Sequence, residues 1–437
     1  VSSRRRPLRS QATGALLGQG TQALAGLVLQ VAAARELGAA GLAAFSLAYG
    51  VLVLATAVSS GFVGDSLTVL DRHEPRIRAG LHVHAALIAG AAGAAGVLLA
   101  LATGAVPLWV GLLAGPAVVA FMAEDLLRRL LMAAGRFWSL PAVDLTSLML
   151  ALGTLVVAAS WGGLTLGSFV VALLVGQSGA AVVAWALLPA AERPRGPWRD
   201  ADLAAVVSFG VWRATAQTIR PAILTVLRLL VVAAAGAAAY GPLEAARVYT
   251  APTMVLVAGL GSFLLPHFVA IRPRGPRAGL RAADRAAGGV AVVVAAIGVL
   301  AVLTMPWLAP LLTGGGYAVP TAAVVGWSVY AVAGAALLPY ASLASVHGRQ
   351  RRVLALRMVE IGSLAAVALL VLVLDGGVVW SPLALSLGPV VTAIAVRQTL
   401  LVPAVLAADR NPGDEPAAPE RASRRRPVPL APYGAGS

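Results

Sequence analysis

Residues 209–232 read FGVWRATAQTIRPAILTVLRLLVV, an apolar stretch that keeps three cations, Arg213, Arg220 and Arg228, and one amide, Gln217. On an α-helix at about 100° per residue, with Arg213 at 0°, Gln217 falls at about 40°, Arg220 near about −20° and Arg228 near about 60°. The four share one arc, although Pro221 can bend the helix between them. An arginine at the centre of a bilayer costs roughly 2.5–3.5 kcal/mol on insertion scales, so such a stripe is expected to face protein or water. The chemistry that suits it is anion binding. Arginine stays charged at every relevant pH, and its fork matches phosphate oxygens two at a time. A pyrophosphate cannot enter hydrocarbon bare, and cations at successive depths would keep it partnered. The candidate anion site is Arg213, Gln217, Arg220 and Arg228, with Arg247 on the next apolar segment. Quieter options stand beside this reading. Arg213 can snorkel to the membrane edge, Arg228 can pair with Glu244, and Arg247 sits three residues past the same glutamate. Arg220 has no such nearby escape. Arg397, close to the end of the last apolar segment, is expected to snorkel.

The acids are few, with 18 in the chain. Asp65, Glu124 and Asp144 fall within apolar segments and are candidates for binding a coupling proton or sodium ion. Asp65 can instead pair with a cavity arginine. Glu124 and Asp125 precede Arg128 and Arg129 by four residues, a spacing that predicts two ion pairs along one helix. Asp144 and Glu360 are expected to pair with nearby arginines. The five histidines, His73, His82, His84, His267 and His347, lie near predicted segment ends and share no metal-ligand spacing. No metal site, cofactor or catalytic triad is expected.

The elements that must hold these residues follow from composition. The 437 residues are 59% hydrophobic and 12% charged, with a mean hydropathy of +0.86, which places the chain among polytopic membrane proteins. There is no cysteine, which excludes disulfides and thiolate metal sites. All 33 cations are arginine, which excludes a P-loop or a Schiff-base lysine. A helix needs about 20 apolar residues to cross hydrocarbon. Twelve segments qualify, near 11–34, 42–69, 80–103, 107–127, 138–160, 164–188, 204–232, 242–268, 286–305, 320–346, 357–374 and 382–404. Without period-2 alternation a barrel is excluded, so the expected fold is all-α.

Apart from Arg35 and five arginines inside the segments, every cation lies in alternate loops or the termini. That asymmetry predicts a multi-pass protein of the cytoplasmic membrane with both termini in the cytoplasm, and argues against a nucleic-acid partner. The basic start, RRRPLRSQATG, leads into a retained first span rather than a cleaved signal. The expected organisation is a cytoplasmic N-terminus (1–10), a six-helix lobe (11–190), a cytoplasmic linker (191–203), a second six-helix lobe (204–405) and a disordered tail (406–437), whose 424–426 RRR can meet anionic lipid.

The two lobes echo one another. GLAAFSLAYGVLVLATAVSSG (41–61) and GPLEAARVYTAPTMVLVAGLG (241–261) share Gly41/Gly241, Tyr49/Tyr249 and Gly61/Gly261 at an offset of 200 residues. AAGRF (133–137) and VHGRQ (346–350) match at an offset of 213. Six-helix halves entered from the same side are parallel repeats, related by a pseudo-two-fold along the membrane normal.

LQVAAARELGAAGLAAFSLAYG resembles the first outer loop and second span of polysaccharide flippases, the Wzx-type members of the multidrug/oligosaccharidyl-lipid/polysaccharide exporter superfamily. RRLLMAAGRFWSLPAVDL (128–145) and the Gly-x-Tyr and Gly-Arg flanks of residues 312–357 are similar to other stretches of that family. The resemblance implies two six-helix bundles around a central, often cationic, cavity. It also implies a flippase that carries a polyprenyl-pyrophosphate-linked oligosaccharide across the membrane by alternating access, served by membrane lipids and glycan-assembly enzymes. Family members often carry an acid in the seventh span, where this chain has Arg228, which puts a coupling role there in doubt. The competing expectations are a cation-coupled multidrug exporter of the same fold, a membrane glycan polymerase or glycosyltransferase, and a transport-inactive scaffold.

Overall fold

The computed structural model describes residues 8–102, 106–194, 200–374 and 377–410. The basic start at 1–7, linker residues 195–199 and tail residues 411–437, including the arginine run at 424–426, lie outside the described residues. Among the described residues there is no strand. Twelve long helices follow one another: α1 (Leu8–Glu36), α2 (Gly38–Gly64), α3 (Pro75–Ala102), α4 (Leu108–Ala133), α5 (Phe137–Ser160), α6 (Leu166–Leu187), α7 (Leu203–Ala235), α8 (Ala237–Ile271), α9 (Pro276–Thr313), α10 (Thr321–Val346), α11 (Gln350–Val373) and α12 (Gly377–Arg410). Among the described residues, ten of them are long and apolar enough to cross a membrane. α1 and α8 occupy the first and eighth predicted spans; α1 carries Gln19 and Gln22, and α8 carries Glu244 and Arg247.

The helices outlast the apolar segments that announce them. α9 begins at Pro276 rather than 286, and α12 runs to Arg410, past the boundary expected at 405. Arginine is a good helix former, so the helix continues where hydrocarbon stops. The apolar pattern marks the membrane crossing, not the end of the helix.

The repeat is visible in atomic detail. Gly135 and Gly348 both turn the chain with positive φ, at 72° and 73°. The arginine after each reaches a carbonyl at the same relative place: Arg136 donates to Leu187 O, and Arg349 donates to Leu400 O. The glycines, the arginines and their acceptors all stand 213 residues apart. Helices α1–α6 pack with one another, as do α7–α12, and the two lobes meet chiefly where α2 crosses α7 and α8 and where α1 meets α9.

Lipid tails are as apolar as leucine, so helix association rests on close packing of small residues. The lobe contact shows this. A Cβ on Gly61 would lie 2.1 Å from the Ala214 backbone, and one on Gly241 would lie 2.1 Å from Ala39 O. The latter contact sits at the arginine-poor end, where Tyr317 also donates to Ala34 O at 3.1 Å. The lobes are joined there. Exposed Val156, Val182, Val292, Leu303 and Leu372 face outward, as a lipid-facing shell requires.

Candidate functional site

Between the lobes lies a cavity of about 910 Å³. Its wall is mostly the first lobe. α1 contributes Gln19, Gln22 and Gln30, and α2 contributes Tyr49, Thr56 and Ser60. α4 supplies Glu124, Asp125, Arg128 and Arg129, while α5 and α6 supply Asp144, Ser147 and Gln177. From the second lobe come Pro221 of α7 and Ala251 and Pro252 of α8. The cavity runs from Gln30 toward Arg128, Arg129 and Met132, away from the joined end.

Helical spacing explains the α1 contribution. Gln19, Gln22, Gly26 and Gln30 fall within an arc of about 80° at 100° per residue, so one stripe of an otherwise apolar helix is amide and glycine. In α4 the i,i+4 spacing gathers the four charges on neighbouring faces. Only one of the two expected pairs forms along the helix. Asp125 takes Arg129 at 2.7 and 3.2 Å, and Arg129 also donates to Ser60 at 2.6 Å. Arg128 instead crosses to Asp144, Nε to Oδ1 at 3.1 Å, and donates to Gly18 O at 2.8 Å. Thr21 completes Asp144 with a 2.7 Å bond. α1, α4 and α5 are thereby tied by one buried ion pair. Glu124 loses its expected partner as a result. It is 5% exposed, lines the cavity, and makes no hydrogen bond or ion pair among the described residues.

The expected arginine stripe is divided among other partners. Arg213 binds Asp65 at 2.9 Å, with Gln217 donating to the same oxygen at 2.9 Å. Asp65 follows a π-helical turn, Ser60–Gly64, so α2 swells where it meets α7. Arg228 is 3% exposed and lies 3.7 Å from Glu244. Arg247 binds Glu244 at 2.6 and 2.9 Å and reaches Gln30 of the first lobe at 2.8 Å. Tyr240 donates to the other Glu244 oxygen at 2.6 Å. Glu244, fully buried, thus holds two guanidiniums and a phenol. Arg220 lies over the Tyr330 ring, 5.2 Å from its centroid.

Arg213, Gln217, Arg220, Arg228 and Arg247 are not among the residues that line this cavity: Asp65 holds Arg213 and Gln217, Glu244 holds Arg228 and Arg247, and Arg220 lies over Tyr330. The cavity is not a cationic one: Glu124, Asp125 and Asp144 face Arg128 and Arg129. Arg397 binds Asp284 at 2.9 and 3.0 Å, at the arginine-rich end of α9, so its head meets an acid near the membrane edge it was expected to seek. Asp65 takes its ion-pairing option, and Glu360 pairs with Arg357 at 3.0 Å as expected. Among the described residues no group of histidines and acids could hold a metal ion. The glutamine stripe on α1 went unread at the sequence level, although Gln19, Gln22 and Gln30 in an apolar segment are its signal.

No family model matches the chain, and no curated protein does. Solved structures do. An inward-facing conformation of a multidrug resistance MATE family transporter of the MOP superfamily superposes with a TM-score of 0.66 and 16% identity, over 89% of this chain and 96% of that chain. An outward-facing conformation of a multidrug resistance MATE family transporter of the MOP superfamily gives 0.59 and 15%, over 91% and 95%. A MOP superfamily transporter from Pyrococcus furiosus, described as having a binding pocket of reverse polarity that suggests a different function, gives 0.57 and 15%, over 89% and 93%. At such identities the likeness is one of fold: the chain has the twelve-helix, two-lobe architecture of these transporters.

Proposed function

We propose that the chain is an alternating-access transporter of the cytoplasmic membrane that moves a polyprenyl-pyrophosphate-linked oligosaccharide between leaflets, with both termini in the cytoplasm. The observation that carries this reading is the cavity between the lobes, walled by Gln19, Gln22, Gln30 and Gln177 with Ser60, Ser147 and Thr56. Amides and hydroxyls donate and accept at once, which suits the dense hydroxyls of a sugar. At about 910 Å³ the space is in the upper range of ligand pockets. Arg128 and Arg129 stand at the far end of the same wall, where a diphosphate can compete with Asp144 and Asp125 for their forks. The fold likeness to transporters described in both inward- and outward-facing conformations supports a rocking motion of the lobes.

A second reading, a cation-coupled multidrug exporter, draws on Glu124. It is the one cavity acid that can take a proton or a cation without first leaving an arginine. The two separate in proteoliposomes that contain either a fluorescent polyprenyl-pyrophosphate disaccharide or a cationic dye. The proposal expects leaflet exchange of the lipid-linked sugar and no gradient-driven dye movement. Dye movement without sugar exchange would establish the second reading in its place.

A further inference from the structure

We infer that the hollow between the end of α8 and the start of α9 is a binding site for the phosphate-bearing headgroup of an anionic membrane lipid. It lies apart from the central cavity and does not depend on the transport reading. The hollow holds about 570 Å³, and its polar lining is Arg274, Arg281, Arg285 and His267, with no acidic residue. The acids nearby are already engaged: Asp284 by Arg397, and Asp409 by Arg277 at 2.7 Å. Arg274, Arg281 and Arg285 form no ion pair among the described residues. Arg281 and Arg285 each rest Nε against a carbonyl one turn back, at 3.5 and 3.3 Å, which leaves their Nη groups for a ligand. α9 also starts here without a side-chain cap, so its first N–H groups add partial positive charge at this end.

The floor and the depth select a lipid over a free anion. Ile271, Ala278, Ala282 and Ala286 give the hollow an apolar base, which suits glycerol and the first methylenes of an amphiphile. The large exposed apolar residues of α9 run from Val292 to Leu311. At about 1.5 Å per residue that face is about 29 Å long, close to the hydrocarbon thickness of a bilayer. Arg285 and Arg281 lie about two and three turns before Val292, at the arginine-rich end, on the headgroup side of that leaflet.

The test uses the full chain purified in a neutral detergent, titrated with dioleoylphosphatidylglycerol, with dioleoylphosphatidylcholine or with inorganic phosphate, and read by native mass spectrometry and by the thermal unfolding midpoint. The wild type is expected to retain phosphatidylglycerol selectively and to gain stability from it. Arg281→Gln/Arg285→Gln is expected to bind it roughly 30-fold more weakly, from about 1 kcal/mol for each surface cation. Arg281→Lys/Arg285→Lys keeps the charge and is expected to keep most of the binding. Arg76→Gln/Arg352→Gln removes the same charge at exposed arginines outside the hollow and is expected to change nothing. Equal losses in the pocket and control pairs would mean diffuse attraction and overturn the site. Lipid retention unchanged in the Gln pair would overturn it too. Inorganic phosphate that displaces the lipid, or stabilises the protein equally, would make the ligand a soluble phosphate and overturn the lipid assignment.

Discussion

Replacing Glu244 by Gln is expected to be among the most destabilising single changes in the protein. Glu244 is fully buried and accepts from Arg247 at 2.6 and 2.9 Å and from Tyr240 at 2.6 Å, with Arg228 at 3.7 Å. The amide has the same shape but no charge, and its NH2 faces donors. The Arg228 and Arg247 side chains, 4% and 21% exposed, are left as two like charges with no counter-ion. Removing one partner of a buried pair costs about 3–5 kcal/mol, because the remaining charge stays desolvated. A unit pair about 4 Å apart at an effective dielectric of about 20 gives about 4 kcal/mol, the same size. Gln30 also loses the positioning of its Arg247 contact, so the contact between the lobes loosens. The assay is equilibrium unfolding in mixed micelles, with Arg228→Met/Glu244→Leu/Arg247→Met as the companion variant. Removing all three charges is expected to recover most of the loss, since no charge is then stranded. A loss below about 1 kcal/mol for Glu244→Gln would refute the reasoning. It would mean that the two guanidiniums reach water, and it would restore them as anion ligands.

Asp65→Asn removes a partner from Arg213 whose side chain is 45% exposed, so it is expected to cost no more than about 1 kcal/mol in the same unfolding assay. Glu124→Gln keeps shape in a carboxyl that holds no arginine; stability is expected within about 1 kcal/mol of wild type, while any pH-gradient dependence of transport disappears. Transport measured with and without an imposed gradient checks this. Gly241→Ala places a methyl against the Ala39 backbone, where nothing can yield, and is expected to open the joined end of the lobes. Accessibility of a cysteine placed at Ala34 to an impermeant thiol reagent reads that opening.

Helix positions were legible because hydrocarbon thickness sets a length that apolar runs must meet, and the repeat was legible because Gly135 and Gly348 need a left-handed turn. The ion pairs were legible along one helix or across one short loop, as for Arg228 and Glu244. Arg129–Asp125 and Arg247–Glu244 are separated by a turn, and spacing alone names them. Arg128–Asp144 and Arg213–Asp65 join different helices, and nothing in a one-dimensional pattern says which helix stands opposite. Of the stripe on α7 only Arg228 is buried, while Arg213 and Gln217 are exposed, and the choice between anion site and ion-pair lock rested on neighbours that only packing reveals. The cavity went the other way. Beside the charges of α4 and α5, its polar groups are uncharged glutamines, which cost less than arginine in an apolar segment and so draw less notice, yet they wall a space between the lobes of about 910 Å³.

The central claim is that substrate passes through that space. Gly20 lines it, and a Cβ there meets no other atom within 4 Å, so Gly20→Trp fills the cavity without displacing backbone. The decisive measurement is the rate of polyprenyl-pyrophosphate disaccharide exchange in proteoliposomes, wild type against Gly20→Trp, with unfolding stability matched. The account expects exchange to fall at least about tenfold while the protein stays folded. Exchange at the wild-type rate would show that the sugar takes another path.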